Sequence, residues 1–150
     1  MKKFTIFYAD DDDDDLMFFE EAVTSICEND QSSIELCLLK NGLNLVDSIE
    51  KNNQKDSVVF LDLNMPLKSG FELLEEIRSK PKINSIPIIM YSTSSDQTNI
   101  SLSQKLGANY YAVKPNSFKE LMKIISNAIR LNWENHAVDT NNFIFNKIAV

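Results

Sequence analysis

A single histidine, His136, among 150 residues leaves no basis for a His-based metal site or a conventional catalytic triad, both of which need an imidazole placed among partners. It lies in a polar segment and is expected at the surface. The two cysteines, Cys27 and Cys37, lack metal-type spacing and are expected as reduced core thiols of a cytoplasmic protein. Lysine and arginine number 15 against 22 aspartates and glutamates, for a net charge of −7. No basic cluster offsets that excess, so a surface tracking nucleic-acid phosphates is not expected. Long apolar runs are missing too. Behind Met1-Lys2-Lys3 only a short, mostly apolar run precedes Asp10, too little for a signal-peptide core, and no stretch approaches a membrane span. Neither a repeat nor a low-complexity linker divides the chain, and its length suits one domain with a core rather than two.

What is present is an alternation. Short apolar runs at 4–9, 34–38, 58–61, 86–91 and 110–113 read as five strands. Pro87 stands near the start of the fourth, where a missing N–H does least harm. Between them the apolar residues recur at helical steps: Leu16, Phe19, Val23 and Ile26, then Leu43, Val46 and Ile49, then Leu74 and Ile77. A serine-rich segment near 95–106, closed by Gly107, is the weakest helix, and Phe118, Leu121, Ile125 and Ala128 mark a strong last one. Strands alternating with helices predict an α/β fold, a doubly wound parallel sheet covered on both faces. Residues 1–131 form this domain, and 132–150 read as a C-terminal extension carrying Trp133 and Phe143-Ile144-Phe145.

In such a sheet, ligands gather beyond the carboxyl ends of the strands. Here the first strand ends at Asp10-Asp11, the third at Asp62, the fourth at Ser92-Thr93 and the fifth at Lys114-Pro115. Clustered carboxylates raise one another's pKa values unless a divalent cation separates them. Mg2+ takes only one or two carboxylates directly and leaves room for a phosphoryl group. A carboxylate nucleophile, an ammonium and a hydroxyl around such an ion suit phosphoryl transfer, which is mostly positioning and charge neutralisation.

These residues carry a resemblance. Tyr8-Ala9-Asp10-Asp11, Asp62-Leu63-Asn64-Met65-Pro66-Leu67-Lys68-Ser69-Gly70, Tyr91-Ser92-Thr93 and Gly107 through Pro115 are similar to the receiver domain of two-component response regulators, over about residues 3–131. The resemblance implies a flavodoxin-like sheet of order 2-1-3-4-5. It implies Asp62 as phosphoacceptor, with Asp11, Asp62 and the Asn64 backbone carbonyl on Mg2+ and Asp10 on a metal-bound water. Lys114 then pairs with the phosphoryl group, Ser92 is the switch hydroxyl and Tyr111 the aromatic switch residue that turns inward. Asn64 and Ser94 take positions that tune phosphoryl lifetime. Pro66 and Gly70 shape the loop behind the acceptor, and Lys114-Pro115 is a position that admits a cis bond.

The full run Asp10–Asp15 departs from the family pattern. Asp12 to Asp15 are read as a solvated acidic helix start that caps free N–H groups and complements the macrodipole. Two other functions compete. A haloacid-dehalogenase-type phosphohydrolase also uses Mg2+ and an aspartate nucleophile, but behind its first strand, in an Asp-x-Asp pattern, with a cap domain. A pseudo-receiver that never accepts phosphate is usually missing an acidic residue or the lysine, and neither is missing here. The implied partners are a sensor histidine kinase or a histidine phosphotransfer protein, with homodimerisation as a further contact. The extension resembles those of stand-alone receivers associated with phytochrome-type or hybrid kinases. Signal output is expected through the fourth helix, fifth strand and fifth helix.

Overall fold

The computed structural model describes residues 3–30, 33–52, 56–136 and 141–148. Five parallel strands, β1 (Lys3–Ala9), β2 (Ser33–Leu39), β3 (Ser57–Leu61), β4 (Ile88–Ser92) and β5 (Tyr110–Val113), lie in the order β2-β1-β3-β4-β5. The helices are α1 (Asp13–Asp30), α2 (Leu45–Lys51), α3 (Gly70–Ser79), α4 (Gln97–Lys105) and α5 (Phe118–Arg130). The strand order reverses beside β1, so the ends of β1 and β3 face a crevice.

Strand alternation sorts the core into two layers. Phe4, Ile6 and Tyr8 of β1 pack with Leu16, Phe19, Val23 and Ile26 of α1 and with Leu121, Ile124 and Ile125 of α5. Phe7 and Ala9 face the opposite way, toward Leu45, Val46 and Ile49 of α2 and Leu73, Leu74 and Ile77 of α3. The helix α4 buries only Ser103, in keeping with its weak apolar periodicity. Ser69, Asp96 and Ser117 cap α3, α4 and α5 through their side-chain oxygens, each satisfying an otherwise orphaned N–H.

Several local expectations need correction. The fourth strand begins at Ile88, after Pro87, because the carbonyl of Ile86 is taken by Arg78 Nη1 at 2.7 Å and proline has no N–H to donate. Leu43 is 51% exposed; a 3-10 turn at Gly42–Asn44 changes the phase, and Leu45 takes the buried place. Cys27 and Cys37 are free thiols but only half-buried, at the margins of the two layers. His136 is not simply a surface group: it hydrogen-bonds the Tyr110 hydroxyl and lies among Tyr110 and Trp133. The Lys114–Pro115 bond is trans, like every other described peptide bond.

The extension returns to the sheet. Phe143 O accepts from Tyr111 N at 3.0 Å, and Ile144 bridges Tyr111 in parallel sense. The Asn146 side-chain amide meets both the N–H and the C=O of Val113 at 2.9 Å, standing in for a neighbouring strand. Phe145 is fully buried against Tyr110 and Trp133. The outer edge of β5, which would otherwise present unpaired backbone groups, is closed by the chain's own tail. Residues 137–140 and 149–150 of the extension lie outside the described residues.

Candidate functional site

Asp10 is wholly buried at the end of β1. Its Oδ1 accepts from Asp12 N at 3.0 Å, and its Oδ2 accepts from the Tyr8 hydroxyl at 2.5 Å and from Lys114 Nζ at 2.7 Å. A carboxylate has about four acceptor positions, so the protein leaves about one open. Asp11 is exposed beside it. Asp62, 6% exposed, ends β3, held by its N–H to Ala9 O at 3.0 Å. Oxygens of Asp10, Asp11 and Asp62 all lie within 4.8 Å of one another. An all-oxygen set at that spacing fits a hard divalent cation, which prefers carboxylates, carbonyls and water.

The loop behind Asp62 is fixed by Gly70. A Cβ there would stand 2.2 Å from Asp62 O and 2.9 Å from Leu63 Cα, so only glycine lets α3 start directly against the Asp62 backbone. The Gly70 N–H donates to Leu63 O at 2.8 Å. Leu67, at φ 73 and 79% exposed, makes the tight turn in between, a conformation uncommon for a branched side chain.

Lys114 enters from the end of β5. Its ammonium is 2.7 Å from Asp10 Oδ2, 2.8 Å from Asp15 Oδ2 and 3.5 Å from Asp62 Oδ1, and it lies 5.6 Å from the centroid of the Tyr91 ring. Burial alone would push this lysine down, but the hydrogen bonds it donates to Asp10 and Asp15 outweigh it and hold its pKa above the ordinary value. Burial pushes Asp62 up to about 6; the Lys114 charge opposes the rise and Asp10 adds to it. The Tyr8 phenol is raised strongly, first by burial and then by the Asp10 charge, so it stays a hydrogen-bond donor. Asp12 caps α1, accepting from Asp14 N and Asp15 N at 2.9 and 3.2 Å.

Ser92 is buried at the end of β4, and its Oγ accepts from Ser94 N at 3.1 Å. Tyr111 is fully buried, its hydroxyl donating to Ser94 O at 2.8 Å. The inward position expected of it after phosphorylation is therefore the one it occupies here. Ser94 donates its N–H to Ser92 and accepts from Tyr111 at its C=O, so one residue links the two. Lys114 N also donates to Ser92 O at 2.8 Å. The predicted residues Asp10, Asp11, Asp62, Ser92 and Lys114 thus surround the ends of β1, β3, β4 and β5, while Asn64 is exposed on the loop behind Asp62.

Tyr8, Asp15 and Ser94 take parts that sequence reasoning did not give them. Only Tyr8 had a local signal, two residues before Asp10 and therefore on the same side of the strand, though the spacing does not show that its hydroxyl reaches the carboxylate. Asp15 and Lys114 are 99 positions apart, and no periodicity relates them.

A profile of the response regulator receiver domain matches residues 6–126, and the chain belongs to that family. It is 31% identical over 96 residues to the response regulator Rcp1 of Synechocystis, an alignment covering 61% of this chain and 65% of that protein. The Mn2+-bound structure of Rcp1 superposes with a TM-score of 0.69 at 25% identity, covering 91% of this chain and 99% of that one. The phosphorylated cyanobacterial phytochrome response regulator RcpA gives 0.74 at 28%, covering 91% and 97%. The chemotaxis response regulator CheY4 of Vibrio cholerae, 20% identical with a TM-score of 0.71 and coverage of 85% and 99%, shares the fold. Among the described residues no helix is long and apolar enough to cross a membrane.

Proposed function

We propose that this chain is a phosphoacceptor: Asp62 takes a phosphoryl group in a Mg2+-dependent reaction, and the phosphorylated form acts through protein contacts. The observation that carries the reading is three carboxylates with oxygens within 4.8 Å of one another, with one ammonium 3.5 Å from Asp62. Asp62 attacks phosphorus as the donor's bond to it breaks, and the leaving group keeps the electron pair. Lys114 stays protonated and faces the equatorial oxygens, where charge is spread. Ser92 offers a hydroxyl to the same oxygens. Asp11, Asp62 and the Asn64 carbonyl would hold Mg2+, and Asp10, with about one acceptor position left, a water of its shell; the ion supplies neutralisation of phosphoryl charge.

The Ser92 hydroxyl keeps its own proton to donate to a phosphoryl oxygen, but a turn of Oγ toward that oxygen moves the acceptor of Ser94 N, and Ser94 O is the Tyr111 anchor. The switch is therefore a displacement of Ser94 felt at β5. Output through α4, β5 and α5 follows, with the tail of residues 141–148 as part of that face. The partner reading is a cytoplasmic sensor histidine kinase or histidine phosphotransfer protein, of phytochrome type by analogy with RcpA, with residues 1–131 as the receiver and 132–150 as its extension. Homodimerisation is the alternative output.

Incubation with Mg2+ and acetyl phosphate followed by intact-mass measurement tests the core of this. One phosphoryl group is expected on the parent and none on Asp62→Asn. Equal labelling of both overturns the assignment. In Ser92→Ala the phosphorylation-dependent NMR shifts around residues 92–113 should disappear; unchanged shifts would contradict the coupling.

A further inference from the structure

Asp15 does more than open a helix. It sits in the first turn of α1, 37% exposed by side chain, and its Oδ2 accepts from Lys114 Nζ at 2.8 Å. Asp13 and Asp14 belong to the same acidic turn, but Asp13 pairs with Lys40 in solvent and Asp14 is exposed. An ammonium has three donors. Two are committed to Asp10 and Asp15, both nearer than Asp62, whose closest oxygen is 3.5 Å away. Asp10 is wholly buried and is also held by Tyr8 and the Asp12 N–H, so it stays with Lys114 whatever happens at Asp62. Asp15 can turn to solvent, which makes its contact the one the lysine can exchange.

We propose that Asp15 is a positioning residue that draws the Lys114 ammonium off Asp62, so that Asp15 competes with an incoming phosphoryl oxygen for the lysine. The inference rests on the phosphoacceptor reading. Covalent accounting is unchanged by it: the Asp62 oxygen–phosphorus bond forms, the phosphorus–oxygen bond of acetyl phosphate breaks, and acetate leaves with the pair. Lys114 keeps its protons and changes only its acceptor. Asp15 thereby sets the rate at which Asp62 is loaded without touching the reacting atoms.

The test compares initial labelling rates by acetyl phosphate at saturating Mg2+ in the parent, Asp15→Asn, Asp15→Glu and Asp14→Asn. Loss of one partly exposed charged contact should speed labelling about five-fold in Asp15→Asn. Asp14→Asn removes the same charge from the same turn and should stay within about two-fold of the parent. Asp15→Glu, which keeps the carboxylate, should return toward the parental rate. In metal-free protein, the Lys114 side-chain ammonium resonance should move in Asp15→Asn and stay in Asp14→Asn, a change that helix destabilisation alone would not single out. Asp15→Ser removes the charge equally and substitutes if Asp15→Asn does not fold. Equal rates in parent and Asp15→Asn, or an unmoved Lys114 resonance, overturn the proposal while leaving the phosphoacceptor reading intact. A parent that takes no phosphoryl group at all overturns that reading, and this one with it.

Discussion

At the carboxyl ends of β1 and β3, Asp10 and Asp62 are buried close together, with one lysine serving both and Asp15 besides. At the outer edge of β5, half-buried polar groups also meet, but they are neutral and matched: the Asn146 amide with both backbone groups of Val113, and Tyr111 N with Phe143 O. Matched neutral groups stabilise without creating demand for anything else. Clustered carboxylates around too few cations remain short of positive charge, and that shortage gives a divalent ion something to relieve. The difference separates the part of the molecule built to change from the part built to hold.

Substitution should break the two regions in different ways. The largest effects come from Lys114→Met and Phe145→Ala. Removing the lysine leaves buried carboxylates uncompensated, at a cost of about 3–5 kcal/mol, while emptying the Phe145 site costs about 3–5 kcal/mol through its cavity. Urea unfolding should show the Lys114→Met loss shrinking toward acid pH, as the carboxylates neutralise, and the Phe145→Ala loss staying nearly constant. Phe145→Ala should keep its phosphoryl labelling; Lys114→Met should lose most of it.

Asp62→Asn should go the other way. The folded pKa of Asp62 is raised to about 6 by burial first, above the unfolded carboxylate value. The unfolded state therefore gives up its proton earlier, and the parent loses stability as pH rises from about 4 through about 6. Asparagine does not titrate, so the variant should be more stable than the parent by about 1–3 kcal/mol at pH 7, with the gain gone near pH 4. A variant less stable at pH 7 would show that Asp62 is satisfied rather than strained.

Ion binding gives a smaller contrast. Mn2+ or Mg2+ affinity should fall as pH drops below about 6, since the ligand must be deprotonated. Asp11→Ala should weaken it by more than Asp13→Ala, which belongs to the solvated turn. Equal losses would assign the cation to the whole acidic run. Smallest of all, Asn146→Ala should cost about 1–2 kcal/mol in unfolding and leave ion affinity unchanged.

The strand-end residues were legible because each apolar run stops at a polar residue, and a parallel sheet brings all such stops to one side. Asp10, Asp62, Ser92 and Lys114 needed no more than that. Tyr8 reads as a core strand residue, and nothing in the run shows that its hydroxyl reaches Asp10. Asp15 looks like its neighbours Asp13 and Asp14; only the helix phase turns it toward Lys114. Trp133 and Phe143–Phe145 announced burial, but whether against this chain or another was open, because an edge strand advertises unpaired backbone rather than a side-chain pattern. Arg78 was missed for a related reason. Its guanidinium gathers Gly107 O, Asn84 O, Ile86 O and Asn109 Oδ1, and burial lowers it to about 10. Backbone carbonyls have no letter in a sequence.

The central claim is that the strained mouth accepts phosphate on one particular carboxylate. Reduction of acetyl-phosphate-treated protein with borohydride converts an aspartyl-phosphate to homoserine, and peptide mass spectrometry locates it. The account predicts homoserine at residue 62, requiring Mg2+ during labelling and appearing at none of residues 10 to 15. Homoserine at Asp10 or Asp11, or Mg2+-dependent labelling that maps elsewhere, would contradict it.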